Sequence, residues 1–469
     1  MKILLYIVGA ILACCLLAVL AGLLFVNPNS YKPAIEAAAS EALGMSVRID
    51  GQLRYQPGSP LRLAMDRVTV RNRDTDLALI QQAELAVAPL SLLRGELRYS
   101  DITLRGAQIS LQRDAAGHYN YEKTVDTRRV AHELNLPRVV FKDLVVKYTD
   151  LPGGGGFELS RCNGDLTGLH HPGAAPFLMR LSLQGELACD ELRSKATATD
   201  VKFTLRARDG VFDFNPLTLR LFGGEGSANV RMDRSGEVPI ITGRYSLRQF
   251  RIEDFFAAVS PRKSVSGRMD FNASLSMHGR TRAELRASAT GDLSLSGKDL
   301  QYSGADLDRE FSRYESSQNF SLFDLGAMLF AGPLGLAVTK GYDFSTLALE
   351  HGGTTRIQTV DTTWKMSNGI AHAQDVAMAT RENRVALQGD LDFVTDQFDG
   401  VVVALVDDMG CARLRQNVSG PFGKPAVTKP SVLESLAGPV TGLLSKAKQL
   451  LPGRAGCEPF YSGAVAAPH

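Results

Sequence analysis

Ile102-Thr103-Leu104-Arg105, followed closely by Ile109-Ser110-Leu111-Gln112, alternates apolar and polar side chains with a period of two. Successive side chains of an extended backbone point to opposite faces, so the pattern reads as half-buried strand. The alternation recurs upstream in Val47-Arg48-Ile49, Leu61-Arg62-Leu63 and Val68-Thr69-Val70-Arg71. Downstream it returns in Leu217-Thr218-Leu219-Arg220-Leu221, Asn229-Val230-Arg231-Met232, Met269-Asp270-Phe271-Asn272, Leu293-Ser294-Leu295-Ser296 and Leu391-Asp392-Phe393. A mainly β chain built on antiparallel sheet is expected.

Composition agrees. The 469 residues are 44% hydrophobic and 22% charged, which excludes wholesale disorder and a multi-spanning membrane protein. Fifty-two Lys+Arg against 50 Asp+Glu leave a net charge of +2, so nothing global favours a nucleic acid partner. The run Gly153-Gly154-Gly155-Gly156 reads as a hairpin tip, since no Lys-Ser/Thr follows it as a phosphate cradle requires. Gly223-Gly224-Glu225-Gly226 reads as a tight hairpin, and the likeness of Gly210–Leu219 to Gly369–Met378 suggests related strand modules.

Ile3 to Val26 carries no charge and, at ~1.5 Å per residue, is long enough to cross a ~30 Å hydrocarbon core. With Lys2 ahead of it, a transmembrane helix with a cytoplasmic N-terminus and an exported body is expected. A cleaved signal peptide would need a small-x-small site that Phe25-Val26-Asn27-Pro28 lacks, and the lipoprotein-like Ile11-Leu12-Ala13-Cys14 is followed by more apolar chain. Tyr31–Leu43 has one apolar face and ends at Gly44, which predicts a short amphipathic helix. Phe320–Leu336 reads as a short apolar helix or re-entrant element. Val432–Leu451 reads as an amphipathic helix that packs on the sheet or plugs one end of an apolar groove.

Of six cysteines, Cys14 and Cys15 fall in the span as small apolar fillers. In an oxidising compartment the others read as two disulfides, Cys162 with Cys189 and Cys411 with Cys457, the second fastening the 432–451 helix. No Cys-x-x-Cys, Gly-x-Ser-x-Gly, His-Glu-x-x-His or Walker motif is present, and the eight histidines are scattered. No catalytic residue, cofactor or metal site is therefore assigned. The repeated apolar face must still be covered, either by a second layer in a sandwich or by a ligand in a curled trough.

Several stretches, in one order, resemble the AsmA family of bacterial envelope proteins. They are Asn27-Pro28-Asn29-Ser30-Tyr31-Lys32-Pro33, Ala83-Glu84-Leu85-Ala86-Val87, Leu92-Leu93-Arg94-Gly95-Glu96-Leu97, Ile102–Leu104, Ile109–Leu111 and Arg113–Asn120. Gly332-Pro333-Leu334-Gly335, Thr339-Lys340-Gly341, Val418–Pro425 and Cys457-Glu458-Pro459-Phe460-Tyr461-Ser462-Gly463 are similar to the family's C-terminal third. The resemblance implies an inner-membrane anchor, a periplasmic body and a role in outer-membrane biogenesis. It also implies kinship with bridge-like lipid-transfer proteins, whose curled sheets hold acyl chains, and it carries no catalytic residues. The expected architecture is a cytoplasmic N-terminus 1–2, a transmembrane helix 3–26, an N-terminal β module 27–125, a central β-groove 126–310 and a C-terminal β module 311–469. Together these form an elongated, curled antiparallel groove with a few short amphipathic helices. Its best N-terminal lining candidates are Leu61, Leu63, Val68, Val70, Ile102, Leu104, Ile109 and Leu111. The expected partners are membrane phospholipids, the inner membrane and a protein of the outer membrane or periplasm. An assembly scaffold with a filled core, and a periplasmic hydrolase, are the competing classes.

Overall fold

The computed structural model describes residues 28–56, 61–72, 75–87, 99–121, 133–173, 177–259, 265–317, 353–428, 431–432 and 457–468. The expected transmembrane helix 3–26, the apolar element 320–336 and residues 433–451 of the expected amphipathic helix lie outside them. Val432 does not begin that helix but belongs to a short strand, opposite Leu414. Among the described residues no helix is long and apolar enough to cross a membrane. The fold is mainly β. It divides into two compact units, Met1–Ser194 with Leu205–Asp209, and Lys195–Thr204 with Gly210–His469.

In the first unit a 3-10 turn (Pro28–Tyr31) leads into helix α1 (Lys32–Leu43). Alanine-rich sequence, Pro33 in the first turn and Gly44 at φ 65 beyond the last one start and stop this helix. Strands β1 (Ser46–Ile49) and β2 (Leu53–Gln56) both pair with β3 (Leu61–Asn72), which continues through β4 (Thr75–Val87) to β5 (Tyr99–Arg113). Next come β6 (Leu134–Asp150), β7 (Gly155–His171) and β8 (Ser182–Arg193). The turn Leu151–Gly154 places the glycine run at the tip of the β6–β7 hairpin. One junction departs from the antiparallel expectation: β5 and β6 run parallel, Ile102 opposite Val139. A parallel neighbour needs a crossover of roughly a dozen residues or more, and the chain between Arg113 and Leu134 supplies one.

Helix α1 seals the edge of this sheet. Ile35, Ala39 and Leu43, one face of the helix, pack against buried Val47, Ile49, Leu53, Leu63 and Leu85. Polar residues of the helix and of the 3-10 turn before it take up backbone donors that the outermost strands would otherwise offer to another chain. Val47 N–H donates to Ser40 Oγ at 2.9 Å and Ile49 N–H to Glu36 Oε1 at 2.7 Å, while Asn29 Oδ1 accepts from Leu53 N–H at 2.9 Å. A covered edge of this kind blocks strand addition.

The second unit is an antiparallel meander, entered from β9 (Thr197–Arg208). It comprises β10 (Val211–Leu221), β11 (Gly224–Asp233), β12 (Ile240–Arg251), β13 (Val265–Ser266), β14 (Arg268–His278), β15 (Thr290–Ser303), β16 (Thr354–Ser367), β17 (Ile370–Ala379), β18 (Arg384–Asp392), β19 (Gln397–Val406), β20 (Ala412–Pro421), β21 (Ala426–Val427) and β22 (Ser431–Val432). Helices α2 (Ile252–Val259), α3 (Arg282–Ala287) and α4 (Leu307–Ser317) lie between strands. Phe222-Gly223 and Asn368-Gly369 both hold positive φ, at 51° and 72° and at 48° and 79°, the two-residue turn that suits twisted hairpins. The two similar segments open alike, since Gly210 (φ 82) and Gly369 (φ 79) each precede a strand.

Bulges punctuate both units. Arg67, Asp143, Arg161, Gln249 and Asp299 take positive φ inside strands, and the β12–β14 register slips between Leu247 and Phe250. The unpaired residue bends its strand and lets the next apolar side chain return to the face it would otherwise leave. Leu247 and Phe250, three apart, are accordingly both buried.

Candidate binding surface

Register stacks the apolar side chains of the second unit into rows that cross strand after strand. Phe212 lies opposite Met232, Met232 opposite Ile241, and Ile241 opposite Met277. A second row runs Leu217, Ala228, Tyr245, Ala273, Leu293, Trp364, and a third runs Leu219, Gly226, Leu247, Phe271, Leu295. The residues between these positions, such as Arg220, Ser227, Asn229 and Arg244, are exposed and belong to the opposite face. One face is thus continuously apolar although no single strand is.

This face is graded. Over β10 to β14 many of its side chains are half-buried, including Phe212, Phe214, Leu217, Leu219, Phe271 and Leu275, while Leu247, Phe250 and Met269 are buried. Over β15 to β20 it is buried outright, with Leu300, Ile357 and Val403 at 0% exposure. Burial pushes the Tyr245 hydroxyl up to about 12. Two clefts, of about 680 and 570 Å³, lie along the opposite, polar face of these strands and share the row Asn229, Arg244, Ser274, Asp292. Their lining is mixed, polar residues of that row alternating with Ala228, Tyr245 and Leu293 in one and with Val230 and Leu275 in the other.

The eight residues singled out by sequence lie in the first unit. Leu61, Leu63, Val68, Val70, Ile102 and Leu104 join a single cluster against which α1 packs. Leu63, Val68 and Val70 are buried within it. Ile109 and Leu111 are half-buried further along β5, opposite Val146 and Tyr148 of β6. Ile109 starts an apolar row through Val146 to Leu159 and Leu192, and Leu111 one through Tyr148 to Phe157.

On β17 to β19 both faces are apolar. The outer one carries Ala377, Ala379, Ala386, Ala404 and Val406, covered by Phe460, Tyr461 and Val465 of the C-terminal segment 457–468. This segment is held by dense polar contacts. Gly410 O accepts from the N–H groups of Phe460 and Tyr461 at 2.8 and 3.0 Å, and Gln388 Nε2 donates to Phe460 O at 2.7 Å. Arg384 donates to Val465 O at 3.0 Å and lies over the Tyr461 ring. Tyr461 donates its hydroxyl to Asp375 at 2.6 Å and accepts from Val465 N–H at 2.9 Å. Burial, and next its bond to Asp375, raise the Tyr461 pKa; burial, and next Asp375, raise that of Asp361. Disulfides join Cys162 to Cys189, on neighbouring strands β7 and β8, and Cys411 to Cys457, which ties the segment to the start of β20.

Among the described residues the histidines that form ion pairs do not converge on one site. His372 pairs with Asp390 at 2.9 Å and His170 with Glu133 at 3.4 Å, on separate strands and far apart in sequence. Among the described residues no group of His, Cys, Asp and Glu could hold a metal ion.

The sequence model of the AsmA family matches residues 1–137 and 191–376, more than half of the chain. No curated protein matches it.

Proposed function

The chain belongs to the AsmA family, and from that premise we propose that it is a lipid-handling protein of the bacterial envelope. It is anchored in the inner membrane by one span, its N-terminus is cytoplasmic and its body is periplasmic. Phospholipid acyl chains lie along the apolar face of the sheet, which curls into a trough, on the way between inner and outer membrane. The supporting observation is the run of apolar rows across β10 to β14, where Phe212, Leu217, Leu219, Ile241, Phe271 and Leu275 are half-buried and a finished core would bury them. Bulges at Gln249 and Asp299 support the curl, because each bends its strand. No energy source is built in, so lipid moves down a gradient set by others, and a partner in the periplasm or outer membrane receives it. No catalysis is assigned; the family is not a known enzyme family.

The test is photo-crosslinking from a benzophenone amino acid placed at Leu219, on the apolar face, and at Ser227, on the other. Acyl-lipid adducts from Leu219 and none from Ser227 are expected. No adduct at Leu219, or equal yields, overturns the proposal.

The second reading, a scaffold for outer-membrane protein assembly with a filled core, is favoured by one observation. From β15 to β20 the apolar face is fully buried, and on β17 to β19 the outer face is closed as well. On this reading Leu219 crosslinks protein and not lipid.

A further inference from the structure

The apolar face of β10 to β14 ends differently at its two margins. At one margin helix α2 closes it: the Phe255 ring meets Phe222 of the β10–β11 turn at 5.7 Å and Phe250 of β12 at 6.2 Å, each edge to face. At the other the row Phe212, Met232, Ile241, Met277 is half-buried, and the chain turns back through residues 234–239. Here the apolar surface passes over the rim of the sheet. Ile241 belongs to that row, so Ile240, opposite Asp233 and His278, belongs to the other face, where it is 46% exposed; Val238 of the turn is 41% exposed. One step further along that other face the residues are polar, Arg231 opposite Thr242 and Thr242 opposite Ser276.

Two guanidinium groups flank this rim. Arg280 Nε and Nη2 donate to the carbonyl of Glu237 at 3.2 and 3.0 Å, and Gly279 N–H donates to Pro239 O at 3.0 Å, which fastens the 278–280 stretch to the turn. A carbonyl orients a guanidinium without neutralising it. Arg234, whose backbone N–H donates to Gly210 O, has no ion pair or side-chain hydrogen bond among the described residues. Of the nearby carboxylates, Asp233 accepts from Ser235 and lies 4.0 Å from Arg231, and Glu284 accepts from the Arg280 N–H at 2.7 Å, so Glu237 alone stands against the two cations. Single exposed aliphatics are ordinary, but a pair on an open apolar rim beside two such arginines makes an amphipathic surface. Its complement joins an anion to hydrocarbon. The planar fork of arginine matches phosphate oxygens, and acyl chain covers aliphatic side chains that are half out of water. We infer that this rim seats a phospholipid, its phosphate between Arg234 and Arg280 and its acyl chains passing over Val238 and Ile240 onto the row Met232, Ile241, Met277. The assignment rests on the lipid-handling reading and adds to it the place where a lipid enters the face and the groups that hold its head.

The test uses the full chain in an alkyl-glycoside detergent and counts bound lipid by native mass spectrometry. The probes are dioleoyl phosphatidylglycerol and dioleoylglycerol, which has the same chains and no phosphate. Expected are binding of phosphatidylglycerol roughly tenfold tighter than of dioleoylglycerol, and loss of that advantage in the double variant Arg234→Gln, Arg280→Gln, with dioleoylglycerol bound as before. Millimolar glycerol 3-phosphate should not compete, because it has no chains to cover the rim. A benzophenone amino acid at Val238, irradiated in whole cells, should form phospholipid adducts, and one at Lys298, exposed on β15, should form none. Equal binding of the two lipids by the wild-type chain, an advantage that survives in the variant, competition by glycerol 3-phosphate, or protein adducts in place of lipid at Val238 overturns the seat and leaves the lipid-handling reading standing. Failure to bind either lipid overturns both. Should the double variant not fold, as its melting curve will show, the wild-type preference and the Val238 adduct decide the matter.

Discussion

Gly243 offers a way to fill the apolar face without disturbing the fold. It lies in β12, with Val230 on one neighbouring strand and Leu275 on the other. A Cβ built on it meets nothing nearer than Asn229 O and Val230 Cγ2, both at 3.8 Å, and its φ is outside the left-handed region. Gly243→Phe therefore adds an aromatic side chain to the face at no backbone cost, and β-strand preference gains up to about 1 kcal/mol over glycine. Such a ring covers roughly 150 Å² of surface, worth about 4 kcal/mol of contact to a displaced acyl chain at ~25 cal/mol per Å². A chain that deviates around the ring loses less, so more than a tenfold drop in bound lipid is the conservative expectation. The assay is mass spectrometry of lipid co-purified with the full chain, beside a melting curve. Ser227→Phe, exposed on the opposite face of β11, is the control and should keep its lipid. A Gly243→Phe variant that melts at or above the wild-type temperature and still carries the wild-type amount of lipid would refute the reasoning.

Four further outcomes follow from the packing. Gly410→Ala should free the C-terminal segment, since its Cβ would fall 1.9 Å from Tyr461 O and its φ is 81°; limited proteolysis after Val432 should speed up while the β14–β16 core stays protected. A non-reduced digest should join the peptides of Cys411 and Cys457, and free thiols at both would contradict the bond. Asp361→Asn should stabilise the protein at neutral pH, by an amount that shrinks on acidification. Burial and Asp375 hold the Asp361 pKa above its ordinary value, so the folded state binds the extra proton, and wild-type stability falls as pH rises from the unfolded pKa to the raised one. Melting curves between pH 4 and 8 check the sign. Glu36→Ala combined with Ser40→Ala leaves the Ile49 and Val47 N–H groups unpaired at a sheet edge and should cost about 2–4 kcal/mol, with concentration-dependent association seen by light scattering.

The strand pattern was readable because alternation is local. Leu217–Leu221, Met269–Asn272 and Leu293–Ser296 fall inside β10, β14 and β15, and the two glycine clusters form the hairpins their composition suggested. Three features escaped the period-two reading. The bulges appear in sequence as apolar residues three apart, Met65 and Val68 or Leu247 and Phe250, a spacing that breaks the strand period unless an extra residue is allowed for. The doubly covered strands appear as unbroken apolar runs, Val376-Ala377-Met378-Ala379 and Val403-Ala404-Leu405-Val406, a sign of burial on both faces. The parallel β5–β6 pair leaves no local mark, because it depends on how a crossover returns. Of the surface itself, sequence located the apolar side of each strand, but the rows arise only from register. The grip on Tyr461 comes from Asp375, 86 residues away.

From β15 to β20 every strand pairs with the one before it, and a turn as short as Asn368-Gly369 suffices to reverse the chain. Growth of such a protein is therefore additive. A hairpin inserted at one of these turns lengthens the sheet by two strand spacings, about 10 Å, and leaves the other ladders in register. The new strands need only alternate in the same sense to extend the apolar rows across them. Reach can change in these steps without a new core having to be invented, as in repeat proteins whose units answer only to their neighbours.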